Sequence, residues 1–211
     1  MALAQRTLTL MQSFLKSYGP SNIKKLLWDK EFSGNKWDFI DDTIGDCVYP
    51  TLEKYSHDGS ILDLGCGPGN TANELATSAY RSYVGVDISA AALEKASKRT
   101  EKNGRGSKNS FELSDIINYV PKEQFDVILF RESLYHVPMG KIKPVLERYS
   151  QFLRTGGVFI VRMGMGAQGG QVKNRPKAMI DIIETNFDVV EKTEHGELRD
   201  TVIVFRLLGL G

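Results

Sequence analysis

From residue 61 onward the chain alternates short apolar runs with stretches of helical spacing. The runs SILDLG, YVGVD, SFELSD, FDVILF, GVFIVRM, FDVVEKTE and TVIVFRLL read as strands, several nearly continuous in Val, Ile, Leu and Phe. Such continuity is expected when helices cover both faces of a sheet. Helical patterns lie between them near 70–79, 90–103, 141–154 and 176–186. The alternation predicts right-handed crossovers and a doubly wound, mostly parallel α/β sheet of seven strands. Only HGELR joins the last two runs, too few residues for a helical crossover, so they should pair as a hairpin with the last strand antiparallel. Residues 1–57 are helical instead. Leu3, Leu8, Leu10, Met11, Phe14 and Leu15 stop before Gly19-Pro20, NIKKLLWDKEF follows, and WDFIDDTIGDCVYPTLEKY reads as a third helical region broken by Gly45 and Pro50. The expected division is a helical cap or lid over 1–57 and a ligand-binding domain over 58–211.

Composition changes this picture little. The 211 residues are 41% hydrophobic and 25% charged, ordinary for a globule with a sizeable core. Lys plus Arg number 27 against 26 Asp plus Glu, a net charge of +1 that gives no reason to expect nucleic acid or an acidic membrane. The basic run from Lys95 to Lys108 alternates with Glu94 and Glu101 and reads as a solvated helix face with its following loop. Two cysteines, Cys47 and Cys66, make no disulfide framework. Arg6 interrupts the N-terminal apolar positions, and no run approaches the roughly 18 residues of a membrane span. The expectation is a reduced, cytoplasmic protein, monomeric or homodimeric.

The chemistry starts at ILDLGCGPGN, residues 61–70, where the first strand runs into Gly65, Gly67 and Gly69. Glycines there allow a tight turn and let a ligand approach the main chain, at the strand ends where open α/β sheets bind ligands. Asn70 and Thr71 open the next helix as N-cap types. YVGVDIS ends the second strand at Asp87, whose carboxylate can accept both ribose hydroxyls of an adenosine. Alternatively Asp87 caps the helix that starts at Ala90, a role Ser89 could also fill. The spacing is G-x-G-x-G rather than G-x-G-x-x-G, and Asp63 beside it would repel a pyrophosphate but can hold an ammonium. Adenosine, main-chain approach and an amino-acid tail together describe S-adenosylmethionine.

In order and spacing, ILDLGCGPGN, VGVDIS, FELSDI, FDVILFRESLYHVP and LRTGGVFIV resemble the successive motifs of class I S-adenosylmethionine-dependent methyltransferases, across about residues 58–208. The resemblance implies a Rossmann-like sheet and an enzyme that produces S-adenosylhomocysteine. It implies that Asp63, Gly65, Cys66 and Gly67 line the methionine moiety and that Asp87 holds the ribose, with Ile88 against the adenine. It implies further that Asp115 bonds the adenine amino group with Ile116 nearby, and that Arg131 offers its carbonyl to the ammonium. The region before residue 58 matches no motif. In related small-molecule enzymes it covers the site, which makes Trp28, Phe32, Trp37 and Tyr49 either lid contacts or helix-packing aromatics. Trp37 is the preferred contact to the cofactor.

Methyl transfer needs alignment, desolvation and an acceptor in the right protonation state, with a base only for some acceptors. RESLYHVP supplies the catalytic candidates His136 and Tyr135. His136 would serve as a base at neutral pH or as loop support; Tyr135 would orient an acceptor or pack. Glu132 would bind an amine acceptor or, as the preferred reading, pair with Arg131. The glycine-rich loop MGMGAQGGQ, residues 163–171, suits a substrate side or a linker, and His195 and His57 read as turn and surface residues. No metal site is expected, since no Cys-His spacing fits one. The absence of Asn/Asp-Pro-Pro-Tyr argues against methylation of nucleic acid bases. The expected function is methylation of an oxygen or nitrogen of a small molecule. The alternatives are a protein or RNA methyltransferase, or a cofactor-binding partner protein without turnover.

Overall fold

The computed structural model describes residues 2–34, 43–164, 175–197 and 200–209. Its strands are β1 (Gly59–Leu64), β2 (Tyr80–Asp87), β3 (Asn109–Leu113), β4 (Phe125–Arg131), β5 (Leu153–Met163), β6 (Phe187–His195) and β7 (Asp200–Leu207). They form one seven-stranded sheet in the order β3-β2-β1-β4-β5-β7-β6. β1 to β5 pair in parallel, whereas β7 is antiparallel to both β5 and β6. The hairpin and the antiparallel last strand are as the connection lengths predict, and β7 is inserted inside the sheet between β5 and β6.

The helices are α1 (Ala2–Tyr18), α2 (Ser21–Ser33), α3 (Val48–Ser56), α4 (Asn70–Glu74), α5 (Ala90–Lys102), α6 (Ile142–Ser150) and α7 (Arg175–Asn186). Successive strand residues serve opposite faces. Leu62, Leu64, Ile128, Phe130, Phe159, Val161, Ile203 and Phe205 pack with Val145, Tyr149, Ile180 and Ile183 of α6 and α7. Ile61, Val127, Leu129, Val158, Ile160, Val202 and Val204 pack with Val48 and Leu52 of α3 and with Ala72 and Leu75. Both faces are covered, which is why the strands lack polar alternation.

Several expectations change. α3 belongs to the core of the sheet, so only α1 and α2 stand apart from it as a cap. Pro50 does not break a helix; it sits in the first turn of α3, where its missing N–H has no intrahelical partner to lose. α4 is one short helix and does not reach residue 79. Its last carbonyls are taken from outside: Arg105 Nη1 donates to Ala72 and Leu75 at 3.0 and 2.7 Å, and Asn109 Nδ2 to Ala72 at 2.8 Å. Side chains from beyond α5 thus replace the backbone donors that would have continued it. The basic run is therefore not wholly solvated, because Lys108 also bonds the Thr77 and Tyr80 carbonyls at 2.8 and 2.9 Å.

Gly65, Gly67 and Gly69 all have positive φ, at 86°, 54° and 77°. Gly69 occupies the N-cap position of α4, and Asn70 lies inside the helix, contrary to the expected cap. A Cβ on Gly69 would stand 2.7 Å from the Ala96 Cβ, so the third glycine lets α4 seat against α5. Gly69→Ala combines left-handed backbone strain with this overlap and should cost about 2–4 kcal/mol. Urea unfolding should show the midpoint lowered at unchanged m; a wild-type midpoint would mean the two helices can separate freely.

Candidate functional site

β1 is flanked by β2 and β4, so the crossovers on its two sides run in opposite directions and a crevice opens above its C-terminal end. A cavity of about 610 Å³ occupies this position. The loops after β1, β2, β3 and β4 form its floor, and Lys16, Lys24, Trp28 and Phe32 from α1 and α2 form its roof. The structure brings Asp63, Gly65, Cys66, Gly67, Asp87, Ile88, Asp115, Ile116, Arg131, Tyr135 and His136 to its wall. Trp37 lies outside the described residues, as do residues 165–171 of the glycine-rich loop.

Asp63, the last residue but one of β1, has 1% of its surface exposed. Its Oδ2 accepts from the Tyr83 hydroxyl at 2.6 Å, while its buried Oδ1 has no hydrogen-bond partner among the described residues. Burial pushes the carboxyl up to about 6, against the opposing effects of the Tyr83 hydrogen bond and the Arg131 charge. Beside it, a Cβ on Gly67 would meet only Phe32 Cζ, at 3.7 Å, so the main chain there borders open space under α2. Gly65 approaches a different neighbour: a Cβ there would stand 2.5 Å from the Ser133 Cβ, and the Ser133 hydroxyl donates to the Leu64 carbonyl. The end of β4 is thereby pinned to the glycine turn. Cys66 is buried in this turn, which raises its thiol well above the ordinary range and keeps it protonated.

Asp87 ends β2. Its Oδ2 accepts from Gly67 N at 2.9 Å and its Oδ1 from Ser89 N at 2.8 Å, while Ser89 caps α5 through Ala92 N at 3.2 Å. The helix cap is therefore Ser89. The main-chain N–H of Ile88 also bears on this carboxylate, which keeps acceptor capacity for a ligand beyond these contacts, and burial places this carboxyl at about 6. Asp115, after β3, accepts from Ile117 N at 3.0 Å on Oδ1. On Oδ2 it accepts from Ser21 Oγ at 2.8 Å and Lys24 Nζ at 3.2 Å. The cap also reaches the β2 end, where Asp29 Oδ1 accepts from Ser89 Oγ at 2.8 Å.

At the end of β4 the expected Glu132–Arg131 pair is replaced by two others. Arg131 pairs with Asp46 at 2.7 Å, and Glu132 pairs with Arg162 of β5. Glu132 is a non-glycine residue with φ of 55°, held by Arg162, by Gly164 N and by the Tyr135 hydroxyl at 2.7 Å. Burial opposes ionisation of Asp46, but Arg131 and Arg162 hold it below the usual carboxylate range. His136 meets Trp28 edge-on at 4.9 Å and Tyr135 at 4.6 Å. Burial, with Lys16 and Arg175 nearby, lowers it to about 3, so the imidazole is neutral and weakly basic at physiological pH. Tyr49 is not a lid residue. It packs in α3 and donates to Glu74 at 2.8 Å.

Glu74 is the residue that sequence reasoning missed. It accepts from Thr43 Oγ1 at 2.6 Å, Tyr49, Asn70 Nδ2 at 3.1 Å and Arg99 Nη2 at 3.3 Å, tying the 43–47 loop and Asp46 to α4 and α5. No local motif marks it, because its partners lie in three separate segments. Among the described residues no group of three or more His, Cys, Asp or Glu could hold a metal ion, and no helix is long and apolar enough to cross a membrane.

Comparison with known proteins bears on this geometry. A family model described as a methyltransferase domain matches residues 56–197. The chain is similar to carboxy-S-adenosyl-L-methionine synthase of Desulfotalea psychrophila, 36% identical over 105 residues, which are 48% of this chain and 42% of that protein. It is similar also to 27-O-demethylrifamycin SV methyltransferase of Amycolatopsis mediterranei, 34% identical over 98 residues, 46% of this chain and 35% of that protein. The matches thus span less than half the length of either relative. The fold superposes on N-methyltransferase NodS from Bradyrhizobium japonicum WM9, solved with S-adenosyl-L-homocysteine. The TM-score is 0.67 at 20% identity, covering 87% of this chain and 98% of that one.

Ligand affinity at this site should depend on pH through Asp63 and Asp87. Both carboxyls stand near 6, so lowering the pH from 7.5 to 5 protonates them and removes the negative charge that each presents to the donors of a ligand. S-adenosylhomocysteine affinity should fall by about tenfold for each carboxylate lost. Asp63→Asn should abolish its share of that dependence. A flat calorimetric profile in the wild-type protein would show that neither carboxylate meets the ligand.

Proposed function

The chain belongs to the methyltransferase-domain family, and from that premise we propose that it transfers the methyl group of S-adenosylmethionine to a nitrogen or oxygen of a small acceptor. The observation that carries the small-molecule reading is the roof: among the described residues, Lys16, Lys24, Trp28 and Phe32 of α1 and α2 cover part of the cavity and narrow the way in for a polymer. The near-zero net charge agrees, since a polyanionic acceptor would call for a basic surface.

The residues present fit the cofactor. Bound there, S-adenosylmethionine supplies an activated methyl on a sulfonium sulfur. Asp63, with its unsatisfied buried Oδ1, faces the ammonium, and Gly67 leaves the room its main chain needs. Asp87 offers its remaining acceptor capacity to the ribose hydroxyls. Ile88 and Ile116 flank the adenine, and Asp115 receives its amino group beside Lys24. Arg131 acts through Asp46 and its neighbouring charge on Asp63, orienting the methionine end. Tyr135 holds Glu132 in place.

His136 contributes as a neutral wall residue. At about 3 its conjugate acid is too strong for it to take a proton from an acceptor near pH 7. Activity should therefore show no inflection near pH 6.5 that disappears in His136→Asn. Such an inflection, present in wild type and lost in the variant, would restore His136 as the base.

Two measurements test the function. Asp87→Ala should weaken S-adenosylhomocysteine binding by roughly 1.5–3 kcal/mol through lost hydrogen bonds to a charged acceptor, read by calorimetry; unchanged affinity would remove the ribose assignment. Methyl-labelled cofactor incubated with separate small-molecule, RNA and protein fractions should label the first. Label confined to RNA or protein would overturn the small-acceptor reading, and tight NADH binding in place of S-adenosylhomocysteine would overturn the transferase itself.

A further inference from the structure

One carboxylate oxygen of Asp63 is engaged by a residue that no ligand reaches. Strand register pairs Tyr83 with Ile61 and Gly85 with Asp63, so Tyr83 and Asp63 are diagonal neighbours on one face of β1 and β2. Gly85 puts no side chain opposite the carboxylate, and the diagonal is spanned by the phenol, whose hydroxyl donates to Asp63 Oδ2 at 2.6 Å. Tyr83 is fully buried, and Tyr80 and Phe111 meet its ring edge-on at 6.2 and 6.3 Å, so the direction of that hydroxyl is fixed by packing. Burial and the Asp63 charge raise the phenol well above its ordinary range, which keeps it a donor throughout the physiological range of pH.

On the methyl-transfer reading, on which this inference rests, Asp63 has to be charged and aimed when the methionine ammonium arrives. We infer that Tyr83 is the positioning residue for that contact, holding Asp63 by Oδ2 so that Oδ1 is the oxygen left to the ligand. A hydrogen bond to the charged form favours it, and a donor on one oxygen also fixes the plane of the carboxyl. The other groups that face Asp63 do less. Burial opposes the charge, and Asp87 at the end of β2 adds to that opposition. Arg131 of β4 favours the charge but is itself paired with Asp46 at 2.7 Å, and the Thr71 hydroxyl of α4 stands nearby. The Cys66 thiol in the glycine turn is protonated. Among the described residues Tyr83 is thus the donor that meets this carboxylate within hydrogen-bond geometry.

The test compares S-adenosylhomocysteine with 5′-methylthioadenosine, which has the same adenine, ribose and sulfur but no amino-acid tail. The ratio of their affinities, read by calorimetry, isolates the methionine end, because Asp87 and Asp115 contribute to both. Tyr83→Phe keeps the ring and removes the donor. At pH 7.5 it should lower the ratio by about 3–10-fold and move the pH midpoint of the ratio up by about one pH unit, because a carboxyl without its donor holds its proton to higher pH. Affinity for 5′-methylthioadenosine should stay within twofold. A 3-fluorotyrosine at position 83, a stronger donor, should move the midpoint down. An unchanged ratio and midpoint in Tyr83→Phe overturns the inference and leaves the cofactor reading standing, and so does an equal loss for both ligands, which would mark a packing defect. Failure of the wild-type protein to bind either ligand overturns the cofactor reading, and this inference with it. Should Tyr83→Phe not fold, the fluorotyrosine protein decides alone: a midpoint that stays or rises overturns the inference.

Discussion

A carboxylate taken out of water has to be met by hydrogen bonds or by an opposite charge, and the whole ligand site is organised around one that is only half met. Asp63 is buried with its Oδ2 on Tyr83 and, among the described residues, an Oδ1 with no donor within hydrogen-bond geometry, the Thr71 hydroxyl standing nearby. The cost of that arrangement appears in its raised proton affinity. Without a partner the charge is disfavoured; on the proposed reading a ligand ammonium beside it stabilises the charge, so part of the ligand's affinity is the relief of a penalty already built into the fold. The glycine turn, the Ser133 link to Leu64 and the Arg131–Asp46 pair all converge on this position.

Much of this was legible in the sequence where the determinants are local. The strand runs, the hairpin forced by a short connection, the glycine turn and Asp87 at the end of the second strand each depend on residues a few positions apart. Ser89 as the cap of α5 was one of two local options, and the structure chose it because Asp87 is already engaged by Gly67 and Ser89 main-chain N–H groups. The failures share a different cause. α4 ends early because Arg105 and Asn109, some thirty residues on, take its carbonyls. Glu132 and Arg131 are adjacent in sequence, yet each pairs with a partner from another element, because Glu132 lies just past β4 with a left-handed φ of 55° that turns its carboxylate to Arg162 while Arg131 meets Asp46. Pairings of this kind follow from how the elements meet, and periodicity carries no information about them.

The cap shows how little of the region before residue 58 is independent of the sheet. α3 is a core helix. α2 is fastened through single polar groups, Asp29 to the Ser89 hydroxyl and Ser21 with Lys24 to Asp115. These contacts recur at intervals of three to five residues along one helix face, with Trp28 and Phe32 between and beyond them over the cavity. The low apolar content of that face, awkward for a core helix, suits one whose buried side meets carboxylates and a polar ligand.

Asp115 therefore serves two masters through one carboxylate. Its Oδ2 already carries Ser21 and Lys24, and its Oδ1 carries the Ile117 main-chain N–H. On the proposed reading, an adenine amino group arriving there meets an acceptor whose charge the cap has partly neutralised, and the lysine that neutralises it brings donors of its own to the same edge. Binding of the cap and binding of the nucleoside are then linked through a shared group, and by reciprocity whatever each does to the other's affinity is returned in equal measure. On the proposed reading the adenine end is thus where the cap and the cavity's occupant share one group, whereas at the methionine end, built on Asp63 and the glycine turn, the cap borders the turn through Phe32.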